Sequence, residues 1–294
     1  MSINQLRAVF MGSPDFAVPT LEALHGACKV LAVVTQPDRP RGRGRALAQP
    51  PVKVAALELG LPVFQPETLR RKAVRQELAA LGADVFVVAA YGQILRPRML
   101  ATPAMGCINV HASLLPRLRG AAPIQWAVAR GEERSGVTIM QMDAGMDTGD
   151  ILLQRGFKLD PDETASSLHD RLAALGGPCL LEALEGLAAG TLKPTPQVEA
   201  EATLAPMLSK ADGELDFGLP SSLVDQRVRG MDPWPGPSPP WMAPSSRFSA
   251  PGRPGGRGAA NRGRCLTPTT GGCWWLVARG PYGFRSCSCQ DVSG

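Results

Sequence analysis

The feature that most restricts the fold of this chain is residues 84–90, Asp-Val-Phe-Val-Val-Ala-Ala, an almost unbroken apolar run of one strand's length. A strand wet on one face alternates apolar and polar side chains. A strand apolar throughout needs cover on both faces, as in the middle of a parallel sheet. Residues 7–11, 30–35, 61–65 and 107–111 are further short β-prone runs. Helical patterns follow Pro14 and span 51–59 and 67–81. Strands alternating with helices predict an α/β fold: a wound, mostly parallel sheet with helices on both faces.

Local signals refine this outline. Ser13 is placed to cap a helix whose first position is Pro14. Gly60 stops the helix of 51–59, and residues 36–50 form a loop rich in Pro, Gly and Arg. Residues 121–130 read as a helix. Residues 137–142 and 151–158 read as strands around a Gly-rich loop. Residues 164–189 are helical with an interruption at Gly176-Gly177-Pro178. The pattern weakens into a connector over 191–207, and 208–229 predicts one strand and one helix. Ligands of wound sheets bind outside the carboxyl ends of the strands. Asn109 and His111 lie at one such end, and the loop 143–150 follows another strand.

Charge divides the chain. The formal net charge is +5, but residues 236–294 hold seven Arg, one Asp, no Lys and no Glu. The preceding 235 residues are therefore nearly neutral, and overall basicity is no argument for nucleic-acid binding. Those last 59 residues contain 19 Pro plus Gly and show no sustained period, which predicts a mostly disordered tail. No apolar run approaches the ~18–20 residues of a membrane helix, and no signal-peptide pattern opens the chain, so the expected compartment is the cytoplasm. Cys28, Cys107 and Cys179 sit in apolar segments as small buried hydrophobes. Cys265, Cys273, Cys287 and Cys289 crowd the tail without zinc-site spacing.

Two clusters carry candidate chemistry. In Asn109-Val110-His111, residues two apart on a strand share a face. An amide donor beside an imidazole can stabilise a developing oxyanion and handle protons, although a solvated polar strand end has the same pattern. The run 143–150 sets Asp143, Asp147 and Asp150 among small residues. One carboxylate there can orient His111 or act as a base, although Asp-Gly runs are commonly plain turns. The spacing fits no EF-hand loop, and no metal is expected. A third feature is Arg39, Arg41, Arg43 and Arg45 at alternate positions of a loop. Arg suits phosphate through bidentate contact, but a short basic run is also an ordinary solvated loop. His25 and His169 lie within helices and read as structural.

A series of short runs decides among these readings: Gly12-Ser13-Pro14-Asp15-Phe16, Thr35-Gln36-Pro37-Asp38-Arg39-Pro40, Pro51-Val52-Lys53, Ala90-Tyr91-Gly92, the stretch from Asn109 to Pro123, Gly136 to Met142, and Asp147-Thr148-Gly149-Asp150. In this order they resemble the methionyl-tRNA formyltransferase family, over about residues 5–236. The Asn-x-His-x-Ser-Leu-Leu-Pro run is shared by the wider group that uses 10-formyltetrahydrofolate. The resemblance implies a Rossmann-like formyltransferase fold and three catalytic residues, Asn109, His111 and Asp147. It implies a folate site lined by Ser113, Leu114, Leu115, Pro116, Tyr91, Gly92 and Asp143. It implies contact of Arg39, Arg41, Arg43 and Arg45 with tRNA, with Arg43 at the best-matching position. The formyl donor would be 10-formyltetrahydrofolate, the acceptor methionyl initiator tRNA, and the protein a monomer with neither metal nor membrane.

The same resemblance divides the chain into a catalytic domain (1–190), a linker (191–207), the start of a tRNA-binding domain (208–235) and an aberrant tail (236–294). Family members continue past Trp-Pro into a small β-barrel, whereas here the match ends near Gly236. A shifted reading frame in GC-rich coding DNA would produce such a change, and another frame should then encode alternating apolar strands after codon 235. The alternatives are a formyltransferase acting on a small-molecule amine, against which the Arg loop argues, and a catalytically impaired folate- or RNA-binding relic.

Overall fold

A computed structural model describes residues 2–41, 46–238, 274–278 and 284–288. Its strands are β1 (Arg7–Gly12), β2 (Lys29–Val34), β3 (Arg39–Arg41), β4 (Ala46–Ala48), β5 (Val63–Phe64), β6 (Val85–Ala89), β7 (Cys107–His111), β8 (Arg134–Gln141) and β9 (Ile151–Lys158). Its helices are α1 (Val18–Ala27), α2 (Pro51–Glu58), α3 (Lys72–Ala80), α4 (Pro97–Leu100), α5 (Pro123–Ala129), α6 (Ala165–Ala189) and α7 (Ser221–Gly230). Seven strands form one sheet in the order β5-β2-β1-β6-β7-β8-β9. The first five run parallel, and β7–β8 and β8–β9 pair antiparallel.

The apolar strands are explained by two cores. Ala8 and Phe10 of β1, with Val85, Val87 and Ala89 of β6, face a core shared with α1, α2, α5 and α6. Val9 and Met11, with Phe86 and Val88, face a second core that includes Leu78 of α3 and Met99 of α4. Successive residues thus point into opposite cores, as the unbroken run requires. Arg7 and Asp84 tie the entry of β1 to that of β6. Arg7 donates from its backbone N–H (2.9 Å), Nε (3.1 Å) and Nη2 (2.7 Å) to the Asp84 carboxylate, which is held below the usual range, chiefly by those side-chain hydrogen bonds.

Several expectations are corrected. Ser13 caps no helix: its hydroxyl accepts Gln36 N–H (3.1 Å), and a 3-10 turn, Asp15–Ala17, precedes α1. Only Lys72–Ala80 of the 67–81 stretch is α-helical, because Gln93 captures Leu69 N–H (3.0 Å) before the helix begins. The loop 36–50 contains a short ladder, β3 against β4. Helix α6 runs unbroken through Gly176-Gly177-Pro178, started by a Thr164–Ser167 capping box. The glycines serve packing instead of ending the helix. A Cβ on Gly177 would lie 2.7 Å from Ala23 Cβ, and one on Gly176 would lie 2.9 Å from Thr20 Oγ1, so α1 approaches α6 closely only because both are glycine.

By length and composition α6 is also apolar enough to cross a membrane, with a hydropathy of 1.4 over its 18-residue window, contrary to the sequence reading. Scattered charged residues hid this. In the fold Leu168, Leu172, Leu180 and Leu184 bury it against the sheet.

Residues 191–238 belong to the same compact unit as the sheet. No strand forms over 208–229; a 3-10 turn, Lys210–Gly213, stands before α7. Helix α7 lies on α5, where a Cβ on Gly230 would sit 2.5 Å from Ala129 N. Trp126 donates to Pro206 O (2.8 Å) and carries the guanidiniums of Arg130 and Arg227 near its ring, 4.6 and 5.2 Å from the centroid. In the tail, β10 (Trp274–Ala278) pairs antiparallel with β11 (Phe284–Ser288), a pairing that the missing periodicity did not announce. The expectation of tail disorder otherwise lies outside the described residues.

Candidate active site

Strand β7 carries Asn109 and His111 on one face, with Val110 turned into the core on the other. His111 is buried, and its Nε2 lies 3.1 Å from Leu118 O. A carbonyl only accepts, so Nε2 carries a hydrogen and donates it. The nitrogen left for proton exchange is Nδ1, and it faces Asp147 Oδ2 at 3.8 Å. That separation is an ion-pair distance for a protonated ring and is too long for a hydrogen bond. Among the described residues the Asn109 side-chain amide has no hydrogen-bond partner, so its N–H groups are available to an incoming oxygen.

Asp147 reaches this cluster by an unexpected route. Because β8 is antiparallel, its last residue, Gln141, pairs with Ile108 near the start of β7. The loop 143–150 therefore leaves from the end of the strands opposite to the one where His111 sits, and it must double back. Gly149 permits this: a Cβ there would overlap Gln141 O and stand 3.3 Å from Asp143 N. Asp147 itself takes a left-handed conformation (φ 53°), which costs ~1–2 kcal/mol for a residue with a side chain. Its Oδ2 accepts Gly120 N–H (2.8 Å), and Gln197 Nε2 donates to the carbonyls of Asp147 (2.8 Å) and Gly149 (2.7 Å). Leu118 is also left-handed (φ 60°), and its N–H is held by Thr203 Oγ1 (2.8 Å).

The residues expected to line a folate site are mostly occupied by the fold. Ser113 is buried and donates to Arg117 O (2.6 Å). Leu114 lies over the paired glycines Gly136 and Gly156, and Leu115 is buried before a cis peptide bond to Pro116. Thr138 and Gln154 pin this turn: Thr138 Oγ1 donates to Ser113 O (2.6 Å), and Gln154 Nε2 donates to Leu115 O (2.7 Å). The Tyr91 phenol is buried in the second core, its hydroxyl has no partner there, and burial pushes its pKa up to about 12. Its carbonyl accepts from Gln36 Nε2 (3.1 Å) and from the Ser13 hydroxyl (3.4 Å). Gly92, at φ 80°, borders two open clefts of about 480 and 490 Å³. Gln36, Arg39 and Pro50 line one cleft and Gln93, Ile94 and Arg96 the other; neither is lined by the Asn109–His111–Asp147 cluster. Asp143 is exposed, and its carboxylate accepts Gly145 N–H (3.0 Å) and the Thr148 hydroxyl (2.8 Å), bonds internal to its own loop.

Of the four arginines, Arg39 and the backbone of Arg41 are described, on strand β3 of the β3–β4 ladder. Arg39 is exposed and pairs with Ala48; Arg41 pairs with Ala46. The Arg41 side chain, Arg43 and Arg45 lie outside the described residues. The base of the ladder is fixed by Asp38, which accepts from Lys53 Nζ (2.7 Å) and Gln65 Nε2 (2.7 Å). The Gln65 bond first, and then Lys53, hold the Asp38 carboxyl below its usual range.

Sequence reasoning missed the supports of the site: Leu118 O, Gly120 N–H, Gln197 and Thr203. Gly120, at φ 120°, had a readable glycine signal. Gln197 and Thr203 lie in a stretch without periodicity, and nothing local in the sequence reveals a contact some 50 or 85 residues away.

Residues 6–184 match the formyl transferase family. The methionyl-tRNA formyltransferase of Desulfotalea psychrophila is 56% identical over 233 residues, 79% of this chain and 72% of that protein. That of Solibacter usitatus is 52% identical over 232 residues, 79% of this chain and 75% of that protein. A solved sugar 3-N-formyltransferase, crystallised with dTDP and a formyl-tetrahydrofolate, shares the fold at a TM-score of 0.60 and 17% identity, over 77% of this chain and 79% of its own.

Proposed function

The chain belongs to the methionyl-tRNA formyltransferase family, and from that premise we propose that it transfers the formyl group of 10-formyltetrahydrofolate to the free amino group of methionyl initiator tRNA in the cytoplasm. The observation that carries the chemistry is the unpartnered Asn109 amide beside a His111 whose remaining nitrogen faces Asp147.

In this reading the substrate amine attacks the formyl carbon, and the formyl oxygen takes up negative charge. Asn109 donates a hydrogen bond to that oxygen. His111, protonated at Nδ1, is the second donor, while Leu118 O holds Nε2 and fixes the plane of the ring. Asp147 accepts the proton released by the attacking nitrogen, through a water where the reach requires one. The bond from the formyl carbon to N10 of the folate then breaks, N10 takes up the proton that Asp147 received, and the new amide is released. Folate is held by the shape of the wall. Tyr91, Gly92, Ser113, Leu114, Leu115 and Pro116 contribute backbone and contour, because the Tyr91 and Ser113 hydroxyls point inward. Asp143 keeps the neighbouring loop closed on itself. Arg39, Arg41, Arg43 and Arg45 grip the tRNA phosphates.

The direct test is transfer of labelled formyl from 10-formyltetrahydrofolate to methionyl initiator tRNA by the purified full-length chain. Transfer that disappears in His111→Ala is the expected result. No transfer by the parent protein, with folate binding intact, would reject the reading.

A further inference from the structure

Residues 195–205 connect α6 to the 3-10 turn before α7, and they make bonds that a passive connector does not need. Thr195 exchanges two backbone hydrogen bonds with Ile151 at the start of β9, both 2.8 Å. Gln197 then uses its whole bonding capacity. Its Nε2 donates to Asp147 O and Gly149 O, and its Oε1 accepts from Nε (3.1 Å) and Nη2 (2.9 Å) of Arg119. Arg119 is 4% exposed, and its Nη1 pairs with Glu199 Oε2 (2.8 Å). Its backbone is clasped on both sides, donating to Thr203 O (2.8 Å) and accepting from Ala205 N–H (2.7 Å). Finally, Thr203 Oγ1 accepts the N–H of Leu118, the residue whose carbonyl holds His111.

One stretch of chain therefore braces two loops that meet at the site. The Asp147 loop carries a left-handed aspartate and would relax if its carbonyls lost their donor. The Leu118 turn carries a second left-handed residue with its carbonyl aimed at Nε2. We propose that residues 195–205 form a clasp that sets the relative geometry of Asp147 and His111, with Gln197 the positioning residue for Asp147 and Thr203 the positioning residue for His111. The kinetic consequence rests on the roles proposed above for those two side chains; the mechanical clasp does not.

The test combines amide hydrogen exchange with steady-state kinetics on the full chain. Gln197→Leu keeps a side chain of similar bulk but loses both donations and the acceptor of the Arg119 guanidinium. Thr203→Val keeps shape but loses the acceptor. Glu199→Gln, on an exposed partner of Arg119, is the control within the same segment. Expected for Gln197→Leu are amides in 143–150 exchanging at least ~10-fold faster, with those of β1 and β6 unchanged, and kcat lower by ~10–100-fold with KM for both substrates within about twofold. Thr203→Val should lower kcat by about 3–10-fold on the same footing, and Glu199→Gln should stay within about twofold of the parent. Unchanged exchange in 143–150, or exchange raised equally in β1, would overturn the clasp. Faster exchange in 143–150 with parental kcat would overturn its role in positioning. If the parent transfers no formyl group while 143–150 responds as expected, the functional reading falls and the clasp stands.

Discussion

On the roles proposed above, the cluster at the end of β7 and the β3–β4 ladder with its arginines face opposite problems. His111 and Arg119 are 6% and 4% exposed, and the Leu118 turn and the Asp147 loop beside them are held by hydrogen bonds between side chains and backbone. The ladder is exposed at Arg39 and Leu47 and is tied down at its base by Asp38, Lys53 and Gln65. Stabilising charge that appears only in a transition state needs donors already in place, because reorganisation at that moment would cost what the contact gains. Gripping a polyanion needs positive charge that reaches out and displaces counterions, which is compatible with an adaptable surface. One region should therefore govern kcat and the other KM for tRNA.

The largest expected effect tests the first half of that division. Asn109→Ala removes the donor proposed for the developing oxyanion and should lower kcat by ~10²–10³ while KM for tRNA stays within about twofold. Steady-state kinetics on the purified variant checks it. Turnover within about twofold of the parent would remove Asn109 from the mechanism, and a raised KM for tRNA would merge the two regions.

How much of this was legible differs between the same two regions. The unbroken run of 84–90 announced a strand covered on both faces, and β6 lies between two cores. The ends of β7 and β9 were readable to the residue, since each is bounded by a clear change of pattern. Asn109 and His111 were visible because strand period places them on one face. Asp147 was named too, as one of three carboxylates and by the resemblance, but its route to His111 and the supports at Leu118, Gly120 and Gln197 were not legible. The antiparallel direction of β8 turns the 143–150 loop to the other end of the strands, and strand direction is not written in local periodicity. Gly176 and Gly177 read as a helix break because propensity speaks first, whereas tight contact with Thr20 and Ala23 decides. For the ladder the reverse holds. Its charge was obvious from composition, yet the bonds at its base come to Asp38 from Lys53 and Gln65, outside the charged stretch.

Gly149→Ala sharpens the contrast from the loop side. An added Cβ would overlap Gln141 O, so the loop must shift and carry Asp147 with it. The expected outcome is a loss of ~1–3 kcal/mol of stability, read by denaturant unfolding, together with a fall of at least ~10-fold in kcat. Parental kcat in this variant would show that the loop tolerates displacement, contrary to a preorganised site. Arg43→Ala probes the other region. KM for tRNA should rise about 3–10-fold, and the slope of its logarithm against log salt should flatten by about one unit, with kcat unchanged. An unchanged KM would detach the ladder from tRNA.

The smallest effect concerns the anchor of the ladder. Asp38 has its pKa lowered in the fold by the hydrogen bonds from Gln65 and Lys53. A carboxylate with a depressed folded pKa contributes stability that is fully present above its unfolded value, near ~3.9, and is lost only as pH falls through the folded value. Asp38→Asn should therefore lower the thermal midpoint by only about 1 °C, since the pair is partly solvated, and the deficit should be the same at pH 8 and pH 5. Calorimetry at the two pH values measures it. A deficit that shrinks between pH 8 and pH 5 would mean that Asp38 is already taking up its proton in that interval. The base of the ladder would then be looser than the Gln65 and Lys53 contacts imply, and the contrast between an anchored base and the exposed Arg39 above it would fail.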